Sequence, residues 1–557
     1  MSRRKKGFKN RKRSGLNRPP VVLGDWTAKK PYKTPTKHDY YYLKLSNEIY
    51  QLLIQPKFEL KNVFGFERKD IVELSVVIAS YIEDFASEIG IWKAFTDYNK
   101  EKFGYALPFF DIENEEYFEN DFNPQDIAYI AWHYTNAYVV DERIFAPHPF
   151  KKLGLAIYNL VEPRIEELSV TGYYDQLFTI KDDHDFFELK ELFQWFSFES
   201  YLLGVEFGRK LLANQEEVMA YIDEKVKEKK IEEAQYLMQN AQPMLYNFEN
   251  NYLYHNNCKY GAMNTPIWLS KIVRASEKVK KQLADFYKFK KGYFQFKSIE
   301  STHFVFEDVR TGKIFEVNKE SFRSSFADDI PIGFYQEMAL FYWNDSWNLS
   351  GIATSSPQKM KFDLSEPIAV YLYPESTKQR LFETAEDMYN IFVEVHGSPL
   401  VICNGKEELD KVYDAYQKQY FEKIVLPKNP ELEYNPFNGI SHNVKSTEDV
   451  AIFIDKIKGI TLLNGINELS EIIHQKNHTE RDKNVFFNEF YYDPYVEGFT
   501  QFMIASNPKI PSLVPNVLRI DLEKYGTYLR YFCSPSNYEH SPSPMNSMVD
   551  SNRVELR

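Results

Sequence analysis

The chain has 557 residues, 43% hydrophobic and 27% charged, with a formal net charge of −12 and three cysteines. That length exceeds what one core holds, so about three domains are expected, and the composition excludes a wholly disordered chain. The cysteines (Cys258, Cys403, Cys533) are too few and too far apart for a disulfide framework or a cysteine zinc site, and no stretch offers the ~20 apolar residues that span a bilayer.

The charge is unevenly spread. Residues 1 to 18 carry nine basic side chains (Arg3, Arg4, Lys5, Lys6, Lys9, Arg11, Lys12, Arg13 and Arg18) and no acid, so setting those nine charges aside leaves −21 on residues 19 to 557. An acidic body repels phosphate backbones, whereas a basic arm reaches them and releases counterions. Contact with RNA or the ribosome is therefore expected at the arm, with a solvated terminal run lacking a specific partner as the alternative. The run has no apolar signal-peptide core, so the expected compartment is the cytoplasm, with no membrane partner.

Residues 19 to 37 hold four prolines and no helical period, and read as an extended continuation of a basic, flexible leader covering 1–37, laid on the first domain through Trp26 and Tyr32. From His38 a helix is predicted, with Tyr42, Leu45, Ile49, Leu52 and Leu53 on one face. A second apolar stripe follows at Ile71, Leu74, Ile78, Tyr81, Ile82 and Phe85, and further helical periods make 38–288 a mainly helical domain.

The period then changes to two. Alternating residues flank Arg310-Thr311-Gly312-Lys313, and a second hairpin turns at Asn344-Asp345-Ser346, so 289–353 is predicted to be a small β-barrel-like or curled-sheet module. A polar connector leads to an α/β domain, 362–532, with strands at PIAVYLY and PLVICNG. Leu400–Gly405 and Ile460–Gly465 echo each other as strand, Asn-Gly turn and helix, either a duplicated βα unit or chance. Residues 517–532 are candidate closing strands, and 533–557, rich in Ser, Pro and Asn, are expected to be a disordered tail. The fold class is thus α+β and multi-domain.

Common catalytic signatures are missing: no GxxxxGK[ST], GxGxxG, GxSxG or HExxH occurs. No cofactor or metal is implied. His474 and His478 have metal-sharing spacing, but two histidines without a third fixed ligand make a poor site. Asp182, Asp183, His184 and Asp185 precede a helix and read as its cap. His133, beside Trp132 and Tyr134, is a candidate general base or a buried ring bonded to backbone. Phe341, Tyr342, Trp343 and Trp347 surround the second hairpin turn and offer either a stacking surface or core, and core is favoured by strand alternation. Asn404-Gly405 and Asn464-Gly465 mark a ligand-binding edge only by analogy with α/β sheets.

The stretch from Trp26 to Tyr50, above all PYKTPTKHDYYYLKLSNEIY, with GIWKAFTDYNKEKFG and DIAYIAWHY, resembles a family of uncharacterised bacterial proteins catalogued as domain of unknown function 3843. The resemblance covers the first quarter of the chain, more loosely the hairpin region, and implies a cytoplasmic bacterial protein without assigning any residue a role. The basic run before Trp26 is not part of it. The expected function is a non-catalytic binding or scaffold protein; the alternative is an enzyme of unrecognised type, with its site in the α/β domain or near His133.

Overall fold

The computed structural model describes residues 19–513 apart from 111–115, 141–147, 357–374, 435–448, 493–496 and gaps of one to three residues, together with Tyr528, Leu529 and Phe532. The described residues form two compact units, the first drawn from 1–92, 110–176 and 199–202, the second from 93–109, 177–198 and 203–557.

The first unit is helical. Its helices are α1 (Leu23–Thr27), α2 (Lys37–Leu53), α3 (Arg68–Ala86), the opening residues of α4 (Ile91–Phe103), α5 (Pro124–Tyr138) and α6 (His148–Val161). The residues before α2 are not extended throughout: α1 lies within them, and Val21 and Trp26 are fully buried. A buried indole anchors this segment, and local turns satisfy its backbone groups. The start of α2 is set by Asp39, whose Oδ2 accepts from the Thr36 backbone N–H at 2.7 Å and the Thr36 hydroxyl at 2.9 Å. The expected faces of α2 and α3 are the buried ones, and α3 is covered all round from Leu74 to Asp84. Gly154 of α6 is required where two helices meet, since a Cβ there would lie 2.3 Å from the Pro124 carbonyl oxygen.

The helices of the second unit, after the short α7 (Tyr173–Leu177), are α8 (Phe186–Phe198), α9 (Leu203–Lys227), α10 (Ile231–Tyr254), α11 (Thr265–Ile272) and α12 (Glu277–Ala284). Helical periodicity runs across α9 and α10, but the two are separate helices, broken at Lys229, where φ is +61°. Five strands follow: β1 (Lys290–Ile299), β2 (His303–Asp308), β3 (Ile314–Asn318), β4 (Tyr335–Trp343) and β5 (Ser346–Ser356). They close in the order β1-β2-β3-β5-β4, with β4 returning beside β1 and β3 parallel to β5. This is a five-stranded Greek-key barrel of OB type, so the module is a closed barrel rather than a curled sheet. Phe294, Phe296, Phe304, Phe306 and Phe315, at alternate positions, fill it. The β4–β5 turn is Asn344-Asp345 alone, with φ of +50° and +57°, the type I′ geometry that matches strand twist.

Beyond the barrel, α13 (Glu375–His396), β6 (Leu400–Asn404), α14 (Lys406–Tyr420), β7 (Asp449–Asp455), β8 (Gly459–Asn464) and α15 (Ile466–His474) surround a core containing Phe392, Tyr416, Ile452 and Leu462. The sheet order is β6-β7-β8, every pairing antiparallel. Both echoed segments run from a strand into a helix, and register brings the strand ends to one edge: Asn404 pairs with Asp449, and Asn464 with Val450. The crevice of a parallel sheet, on which the ligand-edge analogy rested, does not arise among these strands. The next helix is α16 (Glu480–Tyr492), and α17 (Glu497–Ser506) follows. The strand expected at PIAVYLY and the tail after Cys533 lie outside the described residues, as does most of 517–532, where Tyr528, Leu529 and Phe532 are helical rather than extended.

Candidate functional site

A cavity of about 580 Å³ opens where α12 crosses the rim of the barrel, within the range of small-ligand sites. Lys278, Lys281, Gln282 and Asp285 line it at three- and four-residue steps, which place them on one face of the helix. The barrel adds Lys290 from β1, Lys313 just before β3, Phe341 and Tyr342 from β4, and Trp347 from β5. Strand alternation sorts the aromatic group: Phe341 and Trp343 are buried, while Tyr342 is 45% exposed.

Three features hold this wall. Phe341 stacks on Phe289 with centroids 4.8 Å apart. The rings of Tyr342 and Trp347 meet at 5.3 Å, and Trp347 lies 5.0 Å from Phe315. The hairpin tip is pinned because the Trp343 indole N–H donates to the His184 carbonyl at 2.7 Å, and the Asn344 amide donates to the same oxygen at 3.1 Å.

The electrostatics are cationic within an acidic body, with four lysines and one aspartate around the cavity. Lys278 pairs with Asp345 of the turn at 3.3 Å, both side chains well exposed, so the pair is screened and readily exchanged. Lys313 holds its ammonium 5.4 Å from the Phe315 ring centroid. Aromatic walls with an ammonium rim suit a ligand that joins a planar ring to an anionic group. The outer face of β2 and β3, where OB barrels commonly bind, instead offers His303, Val305, Glu307, Ile314 and Glu316, with no Phe, Tyr or Trp and with two carboxylates.

The other candidates are differently placed. The basic residues Arg3 to Arg18 lie outside the described residues. His133 is fully buried, its ring stacked 6.2 Å from Tyr129 and edge-on to Tyr138, so a substrate has no surface approach to it. The acidic run is a cap: Asp185 Oδ1 accepts from the backbone N–H groups of Phe187 and Glu188, and Asp182 accepts from the Ser276 hydroxyl. His474 and His478 each bond a backbone carbonyl of the same segment, Ser470 and Ile472, rather than converging on an ion.

Sequence reasoning missed a buried ionic cluster in the first unit. Glu83 of α3 bonds the Lys30 ammonium and, at 2.8 Å, the His38 imidazole. Lys30 also sits 3.7 Å above the Trp26 ring. Burial draws the Lys30 ammonium down from the ordinary lysine range, against the pull of Glu83. Burial also pushes the Asp84 carboxyl up to about 6, although Tyr201 and the backbone N–H groups of Gly90, Ile91 and Trp92 all donate to it. Asp126 is likewise pushed up by burial to about 6, against donation from the hydroxyls of Tyr81 and Tyr117. The available signal was a charged pair, Glu83-Asp84, set between Ile82 and Phe85 of the apolar stripe; nothing local marked Lys30 as its partner.

A family model described as protein of unknown function (DUF3843) matches residues 21–335, more than half of the chain. The chain belongs to the DUF3843 family. The DUF3843 match begins at Val21, after the basic run, and takes in Lys278, Lys281, Gln282, Lys290 and Lys313 of the pocket. It ends at Tyr335, the first residue of β4, so Tyr342 and Trp347 fall beyond the DUF3843 span. No curated protein and no solved structure matches the chain. Among the described residues no helix is long and apolar enough to cross a membrane.

Proposed function

We propose that this is a cytoplasmic bacterial protein, without catalytic activity of its own, that binds single-stranded RNA, free or on the ribosome. The barrel pocket takes an unpaired base against Tyr342 and Trp347, the rim lysines take the flanking phosphates, and the basic run of residues 1–18 adds sequence-independent affinity. The observation that carries this reading is the coincidence, in one cavity, of four lysines with exposed ring surface, on a body whose net charge otherwise repels polyanions. Barrel topology adds only an analogy.

The test is fluorescence anisotropy of a labelled single-stranded RNA with the full chain at several salt concentrations. Replacing Lys281→Glu and Lys313→Glu together is expected to weaken binding by at least about tenfold and to flatten the salt dependence by about two phosphate contacts. Removing residues 1–18 should lower affinity further while leaving the pocket's contribution in place. Displacement of RNA by a mononucleotide at similar concentration would make free nucleotides the ligand; binding insensitive to both changes would overturn the proposal.

A further inference from the structure

We infer that one side of the α9–α10 hairpin is a self-association surface, through which two copies of this chain pack face to face as a four-helix bundle. Only Glu228, Lys229 and Lys230 separate the two helices, which run antiparallel. Phe207 and Asn214 of α9 both meet Tyr252 of α10, the rings at 5.5 Å and the Asn214 amide donating to the Tyr252 hydroxyl at 2.9 Å. Nearer the turn, the buried Ile222 and Ala234 mark the seam between the helices. Yet Leu212, Met219, Val226, Ile231 and Met238 are 47 to 61% exposed. They recur at seven-residue steps on each helix, so each set forms one stripe. Met219 and Val226 stand three before and four after Ile222, and Ile231 and Met238 hold the same places about Ala234. An antiparallel pair has a local two-fold axis normal to its plane, so equal offsets from the seam put both stripes on the same side. Glu217, Tyr221 and Glu224 fall on the other side, also exposed.

This face is about 21 Å long on α9 at 1.5 Å per residue. It exposes on the order of 500 Å² of apolar side chain, at the top of what a monomer leaves in water. Two such faces laid together remove about 1,000 Å² before flanking polar groups are counted, which reaches the size of a specific interface. A second copy fits because the surface repeats itself: Met219 is level with Met238, and Val226 with Ile231, as the same patch must be to serve both sides of a two-fold dimer. Seven-residue steps on all four helices let the side chains of one copy enter the gaps of the other. The edge of the face is acidic, at Glu216 and Asp223, whereas helices that lie on membranes carry lysine and arginine there. Laying α9 over α10 of the second copy sets that acidic edge against Gln235 rather than against itself. None of these residues lines the barrel pocket.

The experiment is sedimentation equilibrium of the full chain over a wide concentration range, without RNA. Expected is a reversible monomer–dimer equilibrium in the micromolar range, which Met219→Glu with Met238→Glu weakens by at least about tenfold, because paired faces would bury unmet charge. Tyr221→Glu, an equally exposed change on the other side, should leave the dimer intact. Circular dichroism melts report whether each variant is folded; if the methionine pair is not, Val226→Glu with Ile231→Glu takes its place with the same expectation. A chain that stays monomeric at every concentration, a dimer that survives both pairs of substitutions, or one that Tyr221→Glu dissolves equally would overturn the inference.

Discussion

Lysine does two different jobs in the two units. Lys30 of the first unit is 4% exposed, ion-paired to Glu83 and laid over an indole. Lys281 and Lys313 of the second are exposed on the rim of a cavity. A charge taken out of water must be met by a fixed partner, and once met it is tied to the fold. A charge left in water is worth little to the fold and remains available to a ligand. The contrast sets a buried lysine tied to the fold against rim lysines that, in the reading proposed above, meet a ligand.

The largest effect is expected from breaking the buried pair. Glu83→Gln leaves the Lys30 ammonium without its counter-charge and should cost about 3 to 5 kcal/mol of unfolding free energy, read from denaturant midpoints. A loss below about 1 kcal/mol would place Lys30 with the rim lysines and erase the contrast.

The next effect comes from the buried carboxyls. Asp84 and Asp126 have folded values of about 6, above the ordinary aspartate value near 3.9. The folded chain therefore binds more protons than the unfolded one between about pH 4 and 6, and their contribution to stability falls as pH rises through that window. For each group the loss is about 2 to 3 kcal/mol. Asp126→Asn should remove one such component, so that the stability of the natural chain relative to the variant declines from pH 4 to pH 6 in urea titrations. A parallel pair of curves would show that Asp126 is hydrated.

The smallest stability effect belongs to the rim. Reversing Lys281 and Lys313 should shift the unfolding free energy by no more than about 0.5 kcal/mol, while the proposed RNA binding is expected to fall by at least about tenfold. A shift as large as that of Glu83→Gln would mean that the rim lysines are structural.

Much of this architecture was legible in the sequence because it rests on period. The helical faces of α2 and α3 follow from three- and four-residue steps, and the barrel from alternating phenylalanines around two turns. The resemblance carried by the first quarter of the chain is part of a match that runs to Tyr335. What escaped was long-range. Lys30 and Glu83 are 53 positions apart, and no local pattern pairs them. The pocket joins one face of α12 to Lys290 and Lys313 and to Tyr342 and Trp347, which lie more than 60 positions beyond Lys281, so its lysines read as ordinary solvated charges until the barrel closes. Tyr342 and Trp347 were singled out with Phe341 and Trp343, but only the register of β4 separates the exposed ring from the buried ones.

The central claim is that an RNA base enters the barrel pocket. Its most direct test is photocrosslinking of the full chain to a single-stranded RNA carrying a photoactivatable base, with the modified peptides mapped by mass spectrometry. Crosslinks at Tyr342 or Trp347, suppressed by Lys281→Glu with Lys313→Glu, are the result predicted; crosslinks confined to residues 1–18, with the barrel peptides unmodified, would contradict it.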